Sequence, residues 1–152
     1  MAELERILLV EDSENDVALT LAAFEEANLA NEVVVAQDGQ EALDFLYREG
    51  RFTGRRAGNP AVILLDLKMP KIDGLQVLAK LKGDPALKSI PVVMLTSSRQ
   101  ETDVARSYNL GVNAYVVKPV QFSDFISALR ELGLFWAVVN LPPPGTMGHG
   151  GP

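Results

Sequence analysis

Val62-Ile63-Leu64-Leu65-Asp66-Leu67-Lys68-Met69-Pro70-Lys71-Ile72-Asp73-Gly74 places four consecutive aliphatic residues directly before an acid and a turn-forming stretch. A short run that is apolar throughout, without alternation, suits a strand buried on both faces. Outward from it, runs of the same kind occur at Ile7–Val10, Val33–Ala36, Val92–Leu95 and Ala114–Val117.

Helical spacing fills the intervals. After the first run Val17, Leu21 and Phe24 recur at helical positions, with Ser13 placed to cap the helix. Asp38-Gly39-Gln40-Glu41 reads as a variant capping box ahead of Leu43, Leu46 and Tyr47. Leu75, Leu78 and Leu81 form a stripe that ends near Gly83-Asp84-Pro85. Val104, Ala105 and Tyr108 lead to a stop at Asn109-Leu110-Gly111. Phe122, Phe125, Ile126, Leu129 and Leu132 make the clearest amphipathic helix. Strand and helix thus alternate, which predicts an α/β fold: a doubly wound, five-stranded parallel sheet with helices on both faces.

The 152 residues suit one domain. No repeat and no second domain is evident. The N-terminus is acidic and leads straight into a strand, unlike a secretory signal. No apolar run is long enough to span a membrane. Cysteine is absent, so disulfides and thiolate metal sites are excluded, and a cytoplasmic location is expected. The formal charge of −6 and the lack of a basic recognition helix argue against nucleic acid as a partner. The single histidine, His149, lies in a Gly-rich terminus and is no phospho-carrier candidate.

In open parallel sheets, ligands bind beyond the carboxyl ends of the strands. The residues there are Glu11 and Asp12, Asp66, Thr96 and Lys118. Each has an ordinary explanation by itself. An acid after a strand often caps a helix, a threonine often forms a local turn, and a lysine is often just solvated. Their coincidence at four strand ends carries the functional reading. If the second strand lies at an edge, the other four are neighbours and share one pocket. Clustered carboxylates call for a cation, and hard oxygen ligands suit Mg2+ better than zinc. One carboxylate could then act as nucleophile and form an acyl phosphate, with Lys118 as a point charge for the phosphoryl oxygens.

At this point the chain resembles the response-regulator receiver family over about residues 5 to 132. Leu8-Leu9-Val10-Glu11-Asp12, the stretch Leu64 to Gly74, Pro91-Val92-Val93-Met94-Leu95-Thr96-Ser97 and Gly111-Val112-Asn113-Ala114-Tyr115-Val116-Val117-Lys118-Pro119 carry the resemblance. It implies strand order 2-1-3-4-5 and a phosphoryl group on Asp66. It implies Mg2+ on Asp12, Asp66 and the Lys68 backbone carbonyl, with Glu11 close by. Lys118 would pair with Asp66 and then with the phosphoryl oxygens. The Lys118–Pro119 bond would be cis, a form readily accessible only before proline. Thr96 and Tyr115 would form the conformational switch, and Lys68 and Ser98 would tune the phosphate lifetime. The family often has two aspartates where this chain has Glu11-Asp12.

Two segments exceed the minimal unit, so the expected layout is a receiver domain over 1–132 with extensions. Residues 48–60 are expected to be a mobile insertion, with Arg51, Arg55 and Arg56 in a solvated loop. Residues 133–144 form an apolar extension, and 145–152 a disordered tail. Leu134, Phe135, Trp136 and Val139 either fold back on the domain or form a homodimer seam; the seam is the favoured reading. No effector domain is expected, and output is expected through protein contacts. The insertion and tail resemble stand-alone receivers paired with bacterial phytochrome-type histidine kinases. Two other readings compete: a receiver-like module that takes no phosphate, and an Asp-nucleophile phosphatase. The intact acidic pocket argues against the first. Lys68 argues against the second, because it stands where such enzymes carry a second acid.

Overall fold

The computed structural model describes residues 6–56, 58–97 and 100–138, with the side chains of residues 101–103 and 105 outside that description. Five parallel strands, β1 (Ile7–Val10), β2 (Val33–Ala36), β3 (Val62–Asp66), β4 (Val92–Thr96) and β5 (Ala114–Val117), lie in the order β2-β1-β3-β4-β5. Helices α1 (Glu14–Glu26), α2 (Gly39–Tyr47), α3 (Gly74–Lys82), α4 (Glu101–Asn109) and α5 (Phe122–Glu131) connect and cover them. Every predicted strand is present, and β3 and β4 each extend by one residue, to Asp66 and Thr96.

The pleat divides the aliphatic strands between two cores. Leu8, Val10, Ile63, Leu65, Val92 and Met94 face α2 and α3, where they meet Phe45, Leu46, Leu78 and Leu81. Ile7, Leu9, Val62, Leu64, Val93, Leu95 and Val116 face α1 and α5, where they meet Phe24, Phe125 and Leu129. The central strands β1, β3 and β4 are buried throughout, while the edge strands β2 and β5 are only partly covered. That is why unbroken apolar runs were the right signal for the centre of the sheet.

Local chemistry fixes the helix starts. The Ser13 hydroxyl accepts from the Asp16 amide at 3.2 Å and caps α1. Asp38 caps α2 through the Glu41 amide, but the reciprocal arm differs from the expected box: the Glu41 carboxylate accepts from Gln37 rather than from Asp38. The full capping box is at α3, where the Asp73 and Gln76 side chains each accept from the other's amide at 2.9 Å. Tyr108, expected on an apolar stripe, is exposed on α4.

Within the segment expected to be a mobile insertion, Phe52 and Arg55 are anchored to the domain, while most of its described residues face solvent. Gly50–Phe52 forms a 3-10 turn that buries Phe52 edge-on against Phe45, ring centroids 5.1 Å apart. The Arg55 guanidinium lies 4.1 Å over the Phe45 ring, and its Nε donates to the Phe45 carbonyl at 2.5 Å. Arg51 pairs with Glu41 at 2.8 Å and covers Phe52. A bidentate, planar cation can satisfy carbonyls at a helix end while its face rests on an aromatic ring, so the basic cluster acts as a clasp.

Part of the apolar extension folds back on the domain. A second 3-10 turn, Phe135–Ala137, follows α5. Ala137 and Val138 are buried, and Asn31 Nδ2 donates to the Ala137 carbonyl at 2.8 Å. Leu134 packs partly against the α1–α5 core. Phe135 and Trp136 face solvent, Trp136 at 67% exposure, and Arg130 lies 4.3 Å over the Phe135 ring. Val139, Ser98 and the 145–152 tail lie outside the described residues. Among the described residues no helix is long and apolar enough to cross a membrane.

Candidate functional site

The sheet register assembles the site at one end. Val10 pairs with Leu65, so the next residues, Glu11 and Asp66, emerge side by side. Asp66 itself pairs with Leu95, and Thr96 with Val117. Backbone bonds carry the ladder one step further: Glu11 N donates to Ala36 O at 3.0 Å, Leu67 N to Leu95 O at 2.8 Å and Lys118 N to Thr96 O at 2.8 Å. The strand-end residues are therefore held by the sheet rather than by loose loops.

Glu11, Asp12 and Asp66 each place a carboxylate oxygen within 4.8 Å of the others. Glu11 is 1% exposed and Asp66 3%, while Asp12 faces solvent. Lys118 follows β5, and its Nζ lies 3.0 Å from Glu11 Oε1, 2.9 Å from Asp16 Oδ2 and 3.4 Å from Asp66 Oδ1. The Lys68 amide donates to Asp66 Oδ1 at 3.4 Å. The Lys118–Pro119 peptide is cis. Thr96 is buried at the end of β4, beside the cluster. Tyr115 is on β5, the strand that the lysine follows, but is 41% exposed, its ring edge-on to Tyr108 at 5.8 Å.

Burial pushes the Asp66 carboxyl up to about 8. A hydrogen bond to Glu11 and the charge on Glu11 push the same way, against the weaker opposing pull of Lys118 and the Lys68 amide. Burial works against the Lys118 ammonium, but its hydrogen bonds to Asp16 and Glu11 and the charges on Asp66 and Glu11 outweigh that and hold its pKa above the ordinary lysine value. A buried acid that resists ionisation beside a second acid is a site short of positive charge. All the donors are oxygens, which fits a hard divalent cation.

Asp16 is the member that strand-end reasoning missed. It occupies the first turn of α1, where an acid is explained by the helix dipole alone. Only the tertiary fold, which brings the first turn of α1 to the end of β5, joins it to Lys118, 102 positions away in the chain.

The model of the response regulator receiver domain matches residues 7–130. Response regulator Rcp1 of Synechocystis sp. (strain ATCC 27184 / PCC 6803 / Kazusa) is 41% identical over 137 residues, which cover 90% of this chain and 92% of Rcp1. The structure of the bacteriophytochrome response regulator AtBRR is 60% identical, with a TM-score of 0.84 over 92% of this chain and 100% of that one. The Mn2+-bound form of Rcp1 is 40% identical, with a TM-score of 0.70 over 91% of this chain and 99% of that one. Receiver domains are signalling proteins that use a divalent metal and are expected to be phosphorylated on aspartate; the Glu11, Asp12 and Asp66 cluster fits that chemistry. With this site at the carboxyl ends of a β2-β1-β3-β4-β5 sheet, the chain belongs to the response regulator receiver domain family, related to the phytochrome response regulators.

Proposed function

We propose that Asp66 is the phosphoacceptor of a cytoplasmic two-component switch, loaded by a histidine kinase of the phytochrome type. The observation that carries this reading is the convergence of Asp66, Glu11, Asp12 and Lys118 at the carboxyl ends of β3, β1 and β5. In the transfer, an Asp66 carboxylate oxygen forms a bond to phosphorus while the bond from phosphorus to the kinase's histidine nitrogen breaks. The electron pair returns to the imidazole. Asp12, Asp66 and the Lys68 carbonyl would hold Mg2+, with Glu11 acting through water. When bound, Mg2+ supplies positive charge opposite the phosphoryl oxygens. Lys118 holds its ammonium on the same side and neutralises part of the charge that the product gains.

Thr96 and Tyr115 form the readout. The Thr96 hydroxyl turns to a phosphoryl oxygen, and Tyr115 moves from its exposed position against Tyr108 toward the space left behind. The chemistry is self-modification followed by slow hydrolysis; with Lys68 two residues past Asp66, no acid stands there to protonate an outside leaving group. Residues 1–132 form the receiver unit. The exposed Phe135 and Trp136, with Leu134 and Val139, form a homodimer contact.

The test is intact-mass spectrometry after incubation with Mg2+ and acetyl phosphate. Wild type is expected to gain one phosphate and Asp66→Asn none. No adduct in wild type, or an equal adduct in both, would overturn the assignment.

A further inference from the structure

Lys118 is shared among three carboxylates, and the three are not equivalent. An ammonium has three N–H donors. The oxygens of Asp16 and Glu11 lie nearer to it than that of Asp66: 2.9 and 3.0 Å against 3.4 Å. Glu11 is fixed from the other side too, its Oε2 accepting from the Ser13 amide at 3.2 Å. The Glu11 and Asp66 side chains are 1% and 4% exposed, but that of Asp16 is 30% exposed. Lys118 hydrogen-bonds Asp16 and Glu11, while Asp66 Oδ1 stands only at ion-pair distance, so turning the ammonium fully onto a phosphoryl group on Asp66 draws it away from one of those two. Releasing buried Glu11 would strand a charge away from water, which is costly. Releasing Asp16 returns a partly hydrated carboxylate to solvent, at small cost.

We propose that Asp16 is a positioning residue that holds the Lys118 ammonium at the rim of the site until a phosphoryl oxygen replaces it. The proposal rests on the reading of Asp66 as phosphoacceptor. Asp16 then acts as a brake: its ion pair with Lys118 is lost in every phosphorylation event and regained on hydrolysis. The brake is set by the sequence of α1, since the Ser13 cap fixes the first turn on which Asp16 stands.

The experiment compares the rate of phosphate uptake from acetyl phosphate, at saturating Mg2+, among wild type, Asp16→Asn, Asp16→Glu and Glu14→Gln. Glu14 shares the first turn of α1 but forms no ion pair with Lys118, so it controls for charge alone. Asp16→Asn is expected to take up phosphate about twofold to fivefold faster, the factor that loss of a partly exposed ion pair allows. Asp16→Glu is expected to return toward wild type, and Glu14→Gln to match it. Nitrogen-15 NMR of the lysine ammonium gives a second readout: adding Mg2+ and beryllofluoride, a phosphoryl mimic, should move the Lys118 Nζ resonance, and Asp16→Asn should move it part of the way without them. An Asp16→Asn protein that is no faster than wild type, or no faster than Glu14→Gln, would overturn the brake while leaving Asp66 in its role. A wild-type protein that takes no phosphate would refute the underlying reading and the brake with it.

Discussion

Glu11 and Asp66 bring carboxylate oxygens within 4.8 Å of each other in a place where both residues are almost wholly removed from water. Two such acids cannot both be charged without cost. Burial, then Glu11, raises the Asp66 carboxyl to about 8 in the metal-free protein; in the unfolded chain an aspartate titrates at about 3.9. Between those values the folded state holds the extra proton, so stability falls as pH rises through that window. Thermal denaturation of metal-free protein should show a lower Tm at pH 8 than at pH 5. Asp66→Asn should flatten the slope and raise the Tm at pH 8 by about 2–4 °C for each kcal/mol recovered. A slope unchanged in Asp66→Asn would place the titration elsewhere.

Gly74 opens α3 directly behind the acid. A Cβ there would stand 2.2 Å from the Asp66 carbonyl oxygen and 2.9 Å from Leu67 Cα, both backbone atoms that cannot swing aside. Gly74→Ala is expected to cost about 3 kcal/mol in urea denaturation. It should also weaken Mg2+ binding, because the strain is relieved by displacing Asp66. A variant with wild-type stability and metal affinity would contradict this close approach.

Arg55 is expected to be a stability residue. Besides its bond to the Phe45 carbonyl, its Nη1 donates to the carbonyls of Arg56 at 2.6 Å and Gly58 at 3.0 Å. Arg55→Ala should lose about 1–3 kcal/mol of unfolding free energy. Arg55→Lys should recover little, since a point charge cannot make the same fork of bonds or stack on Phe45. Full recovery by lysine would show that charge alone matters.

Asn31 ties the extension to the domain from 106 positions away. With Asn31→Ala, hydrogen exchange at Ala137 and Val138 should quicken while α5 stays protected. The loss of this buried bond should lower stability by about 1 kcal/mol. Uniform acceleration across α5 would mean that the extension is not a separate unit.

Phe135 and Trp136 are the exposed half of that extension. If they form the dimer seam, then Phe135→Ser with Trp136→Ser should give a monomer by light scattering and keep the fold, since neither side chain fills the core. Deletion of residues 134–152 should likewise give a monomer. Dimers that persist in both proteins would send the search for the interface to another face.

Much of the site was legible because its residues obey a local rule. Asp66, Thr96, Lys118 and the Glu11-Asp12 pair each end an aliphatic run, and a buried parallel strand writes that run into the chain without interruption. Ser13 and Asp38 were legible as caps because a cap is a contact between residues three apart. The anchoring of Phe52 and Arg55 within the 48–60 segment was not legible because Gly and Arg look the same in a solvated loop as in a clasp. Phe52 and Arg55 take their role from Phe45 and the end of α2.

What the sequence determined by itself is the alternation of elements, the aliphatic strands and the chemistry waiting at their ends. All of these follow from the period of a strand, the period of a helix and bonds a few residues long. The tertiary structure alone decided which acid holds Lys118, which half of the extension is covered and that Tyr108 and Tyr115 face water. Those outcomes depend on strand order and register: Val10 beside Leu65, Thr96 beside Val117, and the start of α1 brought to the end of β5 so that Asp16 meets a lysine 102 positions away. An ion pair across that separation has no local signature, because neither partner's neighbours constrain the distance between them.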